Sequence, residues 1–175
     1  MSAEIFTAVP EETVSPADCL RLLKSCDLTL ATAESCTGGL IAQRITAVPG
    51  ASAVYRGGIV SYWTELKASI LGVSRNLLDR DGAVAESTAR AMAEGAQRIT
   101  GAETAVSVTG VAGPDSDERG NPVGRVFVGL AAPGRTFCRH LELGALTREE
   151  IRDAAARHAF AMLARYLNRE DPEVH

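Results

Sequence analysis

The residues 32–40, TAESCTGGL, set the adjacent Ser35, Cys36 and Thr37 and two glycines between apolar segments. A strand that runs into Ser35-Cys36-Thr37-Gly38-Gly39 and then a helix points several unpaired backbone N–H groups outward, a place for an anion or a developing oxyanion. The glycines allow close backbone approach, and Ser35, Cys36 and Thr37 add oxygen or sulfur nucleophiles. A plainer role is open to the same side chains, since Ser35 or Thr37 can simply cap the following helix. The stretch lacks the Gly-Lys-Ser/Thr of a P-loop and the Gly-x-Ser-x-Gly of a nucleophile elbow.

A nucleophilic serine needs a base. The three histidines are His140 inside an expected strand, His158 in the middle of an expected helix, and His175 at the terminus, so a Ser-His triad finds no support. Lysine is the other source. Of 18 basic residues only Lys24 and Lys67 are lysines. Arginine stays protonated at any working pH, whereas a buried lysine can lose its proton by desolvation and act as a base. Lys67 follows closely on a strand end and Lys24 lies on a helix, so Lys67 is the candidate. Surface placement remains the alternative that spacing leaves open. Tyr62, at the end of the same strand, can relay a proton or orient Lys67, or can be an ordinary half-exposed strand tyrosine.

These residues must be positioned by their elements. Ser15-Pro16 with Asp18 predicts a helix start, and 28–33 a short strand. A helix over 40–45, a loop at 47–52 and a strand over 55–63 follow. Thr64 and Ser74 are expected caps of two short helices, and 86–100 is an Ala-rich helix ending at Gly101. Residues 104–108 alternate as a strand, 110–124 form a long Gly/Pro/Asp loop, and 125–131 with 136–143 read as a hairpin turning at Pro133-Gly134. Thr147-x-x-Glu150 predicts a capping box for a helix to about residue 168. Residues 1–14 read as a loose arm and 169–175 as a tail. Together the order implies a single α/β domain with a mixed sheet covered by helices on both faces. Ligands in such sheets gather at loops leaving strand ends, here 34–39, 61–67 and 109–124.

Composition bounds the function. The chain of 175 residues is 46% hydrophobic and 5% aromatic, so the core is built from Ala, Val, Leu and Ile. A net charge of −4 disfavours a sequence-independent grip on nucleic acid. The four cysteines show no CxxC and no Cys/His pairing of zinc-site spacing, so no metal site is expected. With no basic leader and no run of 18 apolar residues, we expect a cytoplasmic protein with reduced thiols and no membrane partner.

Taken together, TAESCTGG (32–39), PGAS (49–52), RGGIVSYWTELKASILGV (56–73), GAVAESTARAMAEGA (82–96) and AVSVTGVAGPD with NPVGRVFVGLA (105–131) resemble the CinA C-terminal domain family, the nicotinamide mononucleotide deamidases. The similarity runs from about Cys19 to Tyr166. It implies a three-layer α/β/α domain that hydrolyses the amide of nicotinamide mononucleotide to nicotinic acid mononucleotide and ammonia, without a metal or other cofactor, and it favours a homodimer. Carried over by residue, it implies Ser35 as nucleophile, Lys67 as base, and Tyr62, Ser52 and Thr109 as supporting or substrate-contacting hydroxyls, with Ser52 the fallback nucleophile. Backbone donors at Cys36, Thr37, Gly38 and Gly39, or at Gly110 to Gly113, would take the oxyanion, and Arg148 the substrate phosphate. The family pattern has Gly-Asp-Arg before the last helix; here LGALTREEIR keeps the arginine as Arg148 and lacks the aspartate. In many members the domain follows a half that resembles molybdopterin-binding proteins. That half is not in this sequence, which suits a standalone enzyme and equally a degenerate domain. The competing expectation is a module that binds nucleotide phosphate or oligomerises without turnover.

Overall fold

A computed structural model describes residues 5–6, 14–144 and 146–174. Five full strands, β2 (Leu30–Glu34), β3 (Tyr55–Val60), β4 (Thr104–Gly110), β5 (Arg125–Ala132) and β6 (Arg135–Glu142), join a two-residue edge strand β1 (Ile5–Phe6) in the order β1-β6-β5-β4-β2-β3. β2 is parallel to both β3 and β4, while β4, β5 and β6 are antiparallel, so the sheet is mixed as expected. The parallel half matters most. The C-terminal ends of β2, β3 and β4 fall on one edge, where their loops converge.

Helices α1 (Pro16–Ser25), α2 (Leu40–Thr46) and α6 (Arg148–Leu167) cover one face, and α3 (Thr64–Ser69), α4 (Arg75–Asp81) and α5 (Glu86–Thr100) the other. Period-2 alternation sorts the strand side chains. Leu30, Val106 and Val108 enter the core under α1 and α6, whereas Ala31, Ala33 and Ala105 face Met92, Ala93 and Ala96 of α5. The small residues let α5 lie close on the sheet. Ser107 Oγ donates to the Ala89 carbonyl at 2.6 Å, and a Cβ on Gly129 would sit 2.6 Å from that same oxygen. A side chain at Gly129 would therefore force the layers apart.

Local signals account for most element ends. Both expected capping boxes form, Ser15 with Asp18 on α1 and Thr147 with Glu150 on α6, each satisfying two amides that a helix start otherwise leaves unpaired. Gly101 closes α5 at φ +68°. Thr64 does not cap, since α3 begins at Thr64 with Trp63 in the cap position; Ser74 does take the cap position of α4, without a side-chain cap bond.

Both chain ends depart from the expectation. Within the arm, Ile5 and Phe6 pair parallel with His140 and Leu141, a register set by residues more than a hundred positions away and invisible to local pattern. The rest of 1–13, and His175, lie outside the described residues. Residues 169–174 also return to the sheet: Arg139 donates to the carbonyls of Pro172 (2.6 Å) and Val174 (2.9 Å), and Glu173 accepts from the Cys138 amide at 2.8 Å.

Candidate active site

Every residue of β2 is buried, including its last, Glu34, at 1% exposure. A carboxylate there must be satisfied by donors. It accepts from the amides of Gly39 (3.0 Å), Ile41 (3.1 Å) and Ala42 (2.8 Å), and so closes the start of α2. Gly38 and Gly39, at φ +60° and +99°, supply the left-handed bend that folds the chain back over this carboxylate. This corrects two expectations. Neither Ser35 nor Thr37 caps the helix, and the first-turn donors of α2 are already spent on an internal anion. The turn instead leaves Cys36 and Thr37 as amides without a backbone acceptor, among the described residues.

Ser35 is released for other work. Its amide donates to the Val108 carbonyl at 2.9 Å, which fixes it against β4, and Lys67 Nζ donates to its Oγ at 2.9 Å. Lys67 is 1% exposed; α3 turns it inward, and Nζ also donates to the Ser61 carbonyl at 2.7 Å. Its partners are a hydroxyl and a carbonyl rather than a carboxylate. Burial without a counter-charge disfavours the ammonium, and the pKa falls from 10.5 to about 8. A serine thus rests on an amine that can be neutral near physiological pH. Cys36 is disfavoured as a competing nucleophile, because its side chain is buried and burial pushes its thiol up to about 12.

A cleft of about 710 Å³ opens over this pair, lined by Ser35, Lys67, Tyr62, Trp63, Thr109 and Gly110 with the 116–119 part of the long loop. It continues into a recess of about 240 Å³ lined by Ser35, Cys36, Tyr62, Gly110, Gly113 and Arg148. Arg148 donates to Tyr62 Oη at 2.9 Å and to the Gly113 carbonyl, which joins the start of α6 to the other two loops. Tyr62 is therefore engaged with Arg148 rather than with Lys67. Thr109 gives its hydroxyl proton to the Ala83 carbonyl at 2.6 Å. Thr37 is fully buried, its hydroxyl without a partner among the described residues, and it lines neither space. A separate cavity of about 750 Å³, lined by Cys26, Arg135, Phe137 and Tyr166, holds no lysine. Among the described residues no group of three His, Cys, Asp or Glu side chains is placed to hold a metal ion.

The structure does not bring Ser52 to the cleft. It lies exposed on a 3-10 turn, Ala51–Ala53, that enters β3, whereas Ser35 leaves the neighbouring parallel strand β2. The two serines sit at opposite ends of the sheet, a consequence of strand direction that spacing does not reveal. Sequence reasoning also missed Glu34, Ser61, Arg152 and Trp63. Arg152 donates to the carbonyls of Cys36 (3.2 Å) and Thr37 (2.8 Å), holding the turn from α6. For Glu34 a signal existed: an acidic residue closing an otherwise apolar strand just before a Gly-Gly bend.

Fold and site together define a class, a single three-layer α/β/α domain with a buried serine–lysine pair at the C-terminal edge of its parallel strands. Residues 12–167 match the CinA C-terminal domain, and the chain belongs to that family. It is 50% identical over 148 residues to a CinA-like protein of Frankia casuarinae, covering 85% of this chain and 34% of that one. With a CinA-like protein of Desulfotalea psychrophila the identity is 42% over 140 residues, 80% of this chain and 34% of the relative. The chain thus spans about a third of the length of these curated relatives. Among solved structures, the competence/damage inducible protein CihA from Agrobacterium tumefaciens superposes with a TM-score of 0.79 at 39% identity, covering 90% of this chain and 99% of that one. A CinA superfamily protein from Klebsiella pneumoniae gives 0.84 at 29%, covering 89% and 99%. No helix among the described residues is long and apolar enough to cross a membrane.

Proposed function

We propose that this domain is a nicotinamide-nucleotide amidohydrolase, converting nicotinamide mononucleotide and water to nicotinic acid mononucleotide and ammonia. The observation that carries the reading is the 2.9 Å contact between Ser35 Oγ and the buried, desolvated Lys67 Nζ. An amide carbonyl is unreactive, so hydrolysis needs an activated nucleophile, a proton for the leaving nitrogen, and donors for the oxyanion. Neutral Lys67 takes the Ser35 proton as Oγ attacks the carboxamide carbon, and the carbonyl electron pair moves onto oxygen. The Ser61 carbonyl, by accepting one Nζ hydrogen, helps orient the amine's lone pair toward Ser35. Lys67 then passes its proton to the nitrogen as the C–N bond breaks and ammonia leaves. Water attacks the resulting ester, Lys67 takes one of its protons, and collapse returns that proton to Ser35 Oγ. The amides of Cys36 and Thr37 are the donors nearest in sequence to the nucleophile for the oxyanion. Arg148 would hold the phosphate, and a homodimer fits the family likeness.

The test is ammonia release from nicotinamide mononucleotide by the purified chain. Ser35→Ala removes a hydroxyl whose partner keeps the Ser61 carbonyl, so it should stay folded and lose turnover. Binding without ammonia release in the unaltered chain would leave a nucleotide-binding module in place of an enzyme.

A further inference from the structure

Trp63 is the one tryptophan of the chain, and it is 73% exposed while lining the cleft that holds Ser35 and Lys67. Its ring offers a wide apolar face with a negative π-surface, and no neighbour packs it away from solvent. Placed at the cap position of α3, it is four residues from Lys67 along the chain, so the element that sets the base also sets the ring. Acidic residues outnumber basic ones around it. Glu65, Asp79, Asp117 and Glu118 line the same cleft against Arg119 and Lys67. Arg119 keeps its charge while its guanidinium is held against the carbonyls of Leu78, Asp79 and Arg80, and Lys67 is buried beneath Ser35. Asp117 is turned to its own loop, accepting from the amides of Arg119 and Asn121. Four carboxylates against one guanidinium and one buried amine bias the opening negative. An exposed indole face beside carboxylates suits a delocalised cation, and it gives nothing to an anion.

We infer that Trp63 is a specificity residue that stacks on the positively charged pyridinium ring of the substrate, with the carboxylates of the cleft rim selecting for that charge. The inference rests on the amidohydrolase reading of the same cleft. It also gives the reaction a direction of release. Amide hydrolysis leaves a carboxylate on the ring that Trp63 held, and that new anion faces the rim carboxylates, so the acid product binds more weakly than the amide substrate.

Having one tryptophan makes the test direct. The full chain carrying Ser35→Ala is titrated with 1-methylnicotinamide, with nicotinamide, and with the two mononucleotides, while Trp63 emission is read. The expected result is saturable quenching by 1-methylnicotinamide and nicotinamide mononucleotide, with half-saturation at least tenfold higher for uncharged nicotinamide and for nicotinic acid mononucleotide. In the otherwise unaltered chain, Trp63→Leu should raise KM for nicotinamide mononucleotide roughly tenfold, the mid-range for a partly desolvated cation on an indole, and lower kcat less. Trp63→Phe should recover most of that loss. Quenching that is linear and equal for charged and uncharged rings, or a KM within twofold in Trp63→Leu, overturns the proposal. Saturable, charge-dependent quenching without ammonia release keeps the pyridinium subsite and removes the reaction. Ammonia release with KM unmoved by Trp63→Leu does the reverse.

Discussion

Replacing Lys67 by arginine separates a base from a charge. Arg keeps the cation and the reach, but guanidinium does not give up its proton. With its pKa at about 8, Lys67 is neutral in about a tenth of molecules at pH 7, whereas at 10.5 the fraction would be roughly 3 in 10,000. Burial therefore supplies about 300-fold more free base, and Lys67→Arg forfeits all of it. Loss of a positioned general base costs about 10²–10⁴-fold in kcat, roughly 3–5 kcal/mol of barrier. The assay is ammonia release at saturating nicotinamide mononucleotide from pH 5.5 to 9.5, with nucleotide affinity measured beside it. For the unaltered chain kcat should rise about tenfold per pH unit below 8 and level off above, because the active form is the deprotonated one. A profile flat between pH 6 and 9, or an arginine variant keeping more than about a tenth of kcat, a loss under ~1.4 kcal/mol, refutes the general-base role.

Lys67→Met should stabilise the fold at pH 7, because it removes the desolvation cost of a buried amine, about 3 kcal/mol for a pKa lowered from 10.5 to about 8. The unfolded chain binds the extra proton between pH 8 and 10.5, so the unaltered chain gains stability across that window; chemical denaturation should show the two converging there. Glu34→Ala leaves three amides without their acceptor and should cost about 3 kcal/mol, a Tm drop of roughly 10 °C by circular dichroism. A drop under about 3 °C would mean that water replaces the carboxylate. Arg148→Ala should weaken nicotinamide mononucleotide binding about tenfold and leave nicotinamide riboside nearly unaffected by calorimetry, as for a charge-assisted phosphate contact; equal losses would put the phosphate elsewhere.

What the sequence disclosed follows from how local each signal is. The capping boxes at Ser15 and Thr147, the Gly101 stop and the Pro133-Gly134 turn depend on neighbours within a few positions, and each appears as read. Lys67 stood out as one of two lysines among 18 basic residues, the other lying on helix α1. Its 2.9 Å approach to Ser35 spans 32 residues and needed the parallel pairing of β2 and β3 to become visible. Ser52 failed for the matching reason: a loop entering a strand and a loop leaving one have similar composition. β1 rests wholly on distant pairing, and the Arg152 contacts reach across more than 110 residues.

Glu34 joins three elements through one residue. Its carboxylate gathers the start of α2, its carbonyl accepts the Ser61 amide at 2.9 Å, and its peptide bond leads directly to Ser35. Nucleophile and base therefore share a single mechanical anchor, Ser35 through the chain and Lys67 through Ser61. Displacing β2 carries both reacting atoms together, so their spacing survives breathing motions of the sheet, and heat should abolish activity and native structure in one transition rather than two.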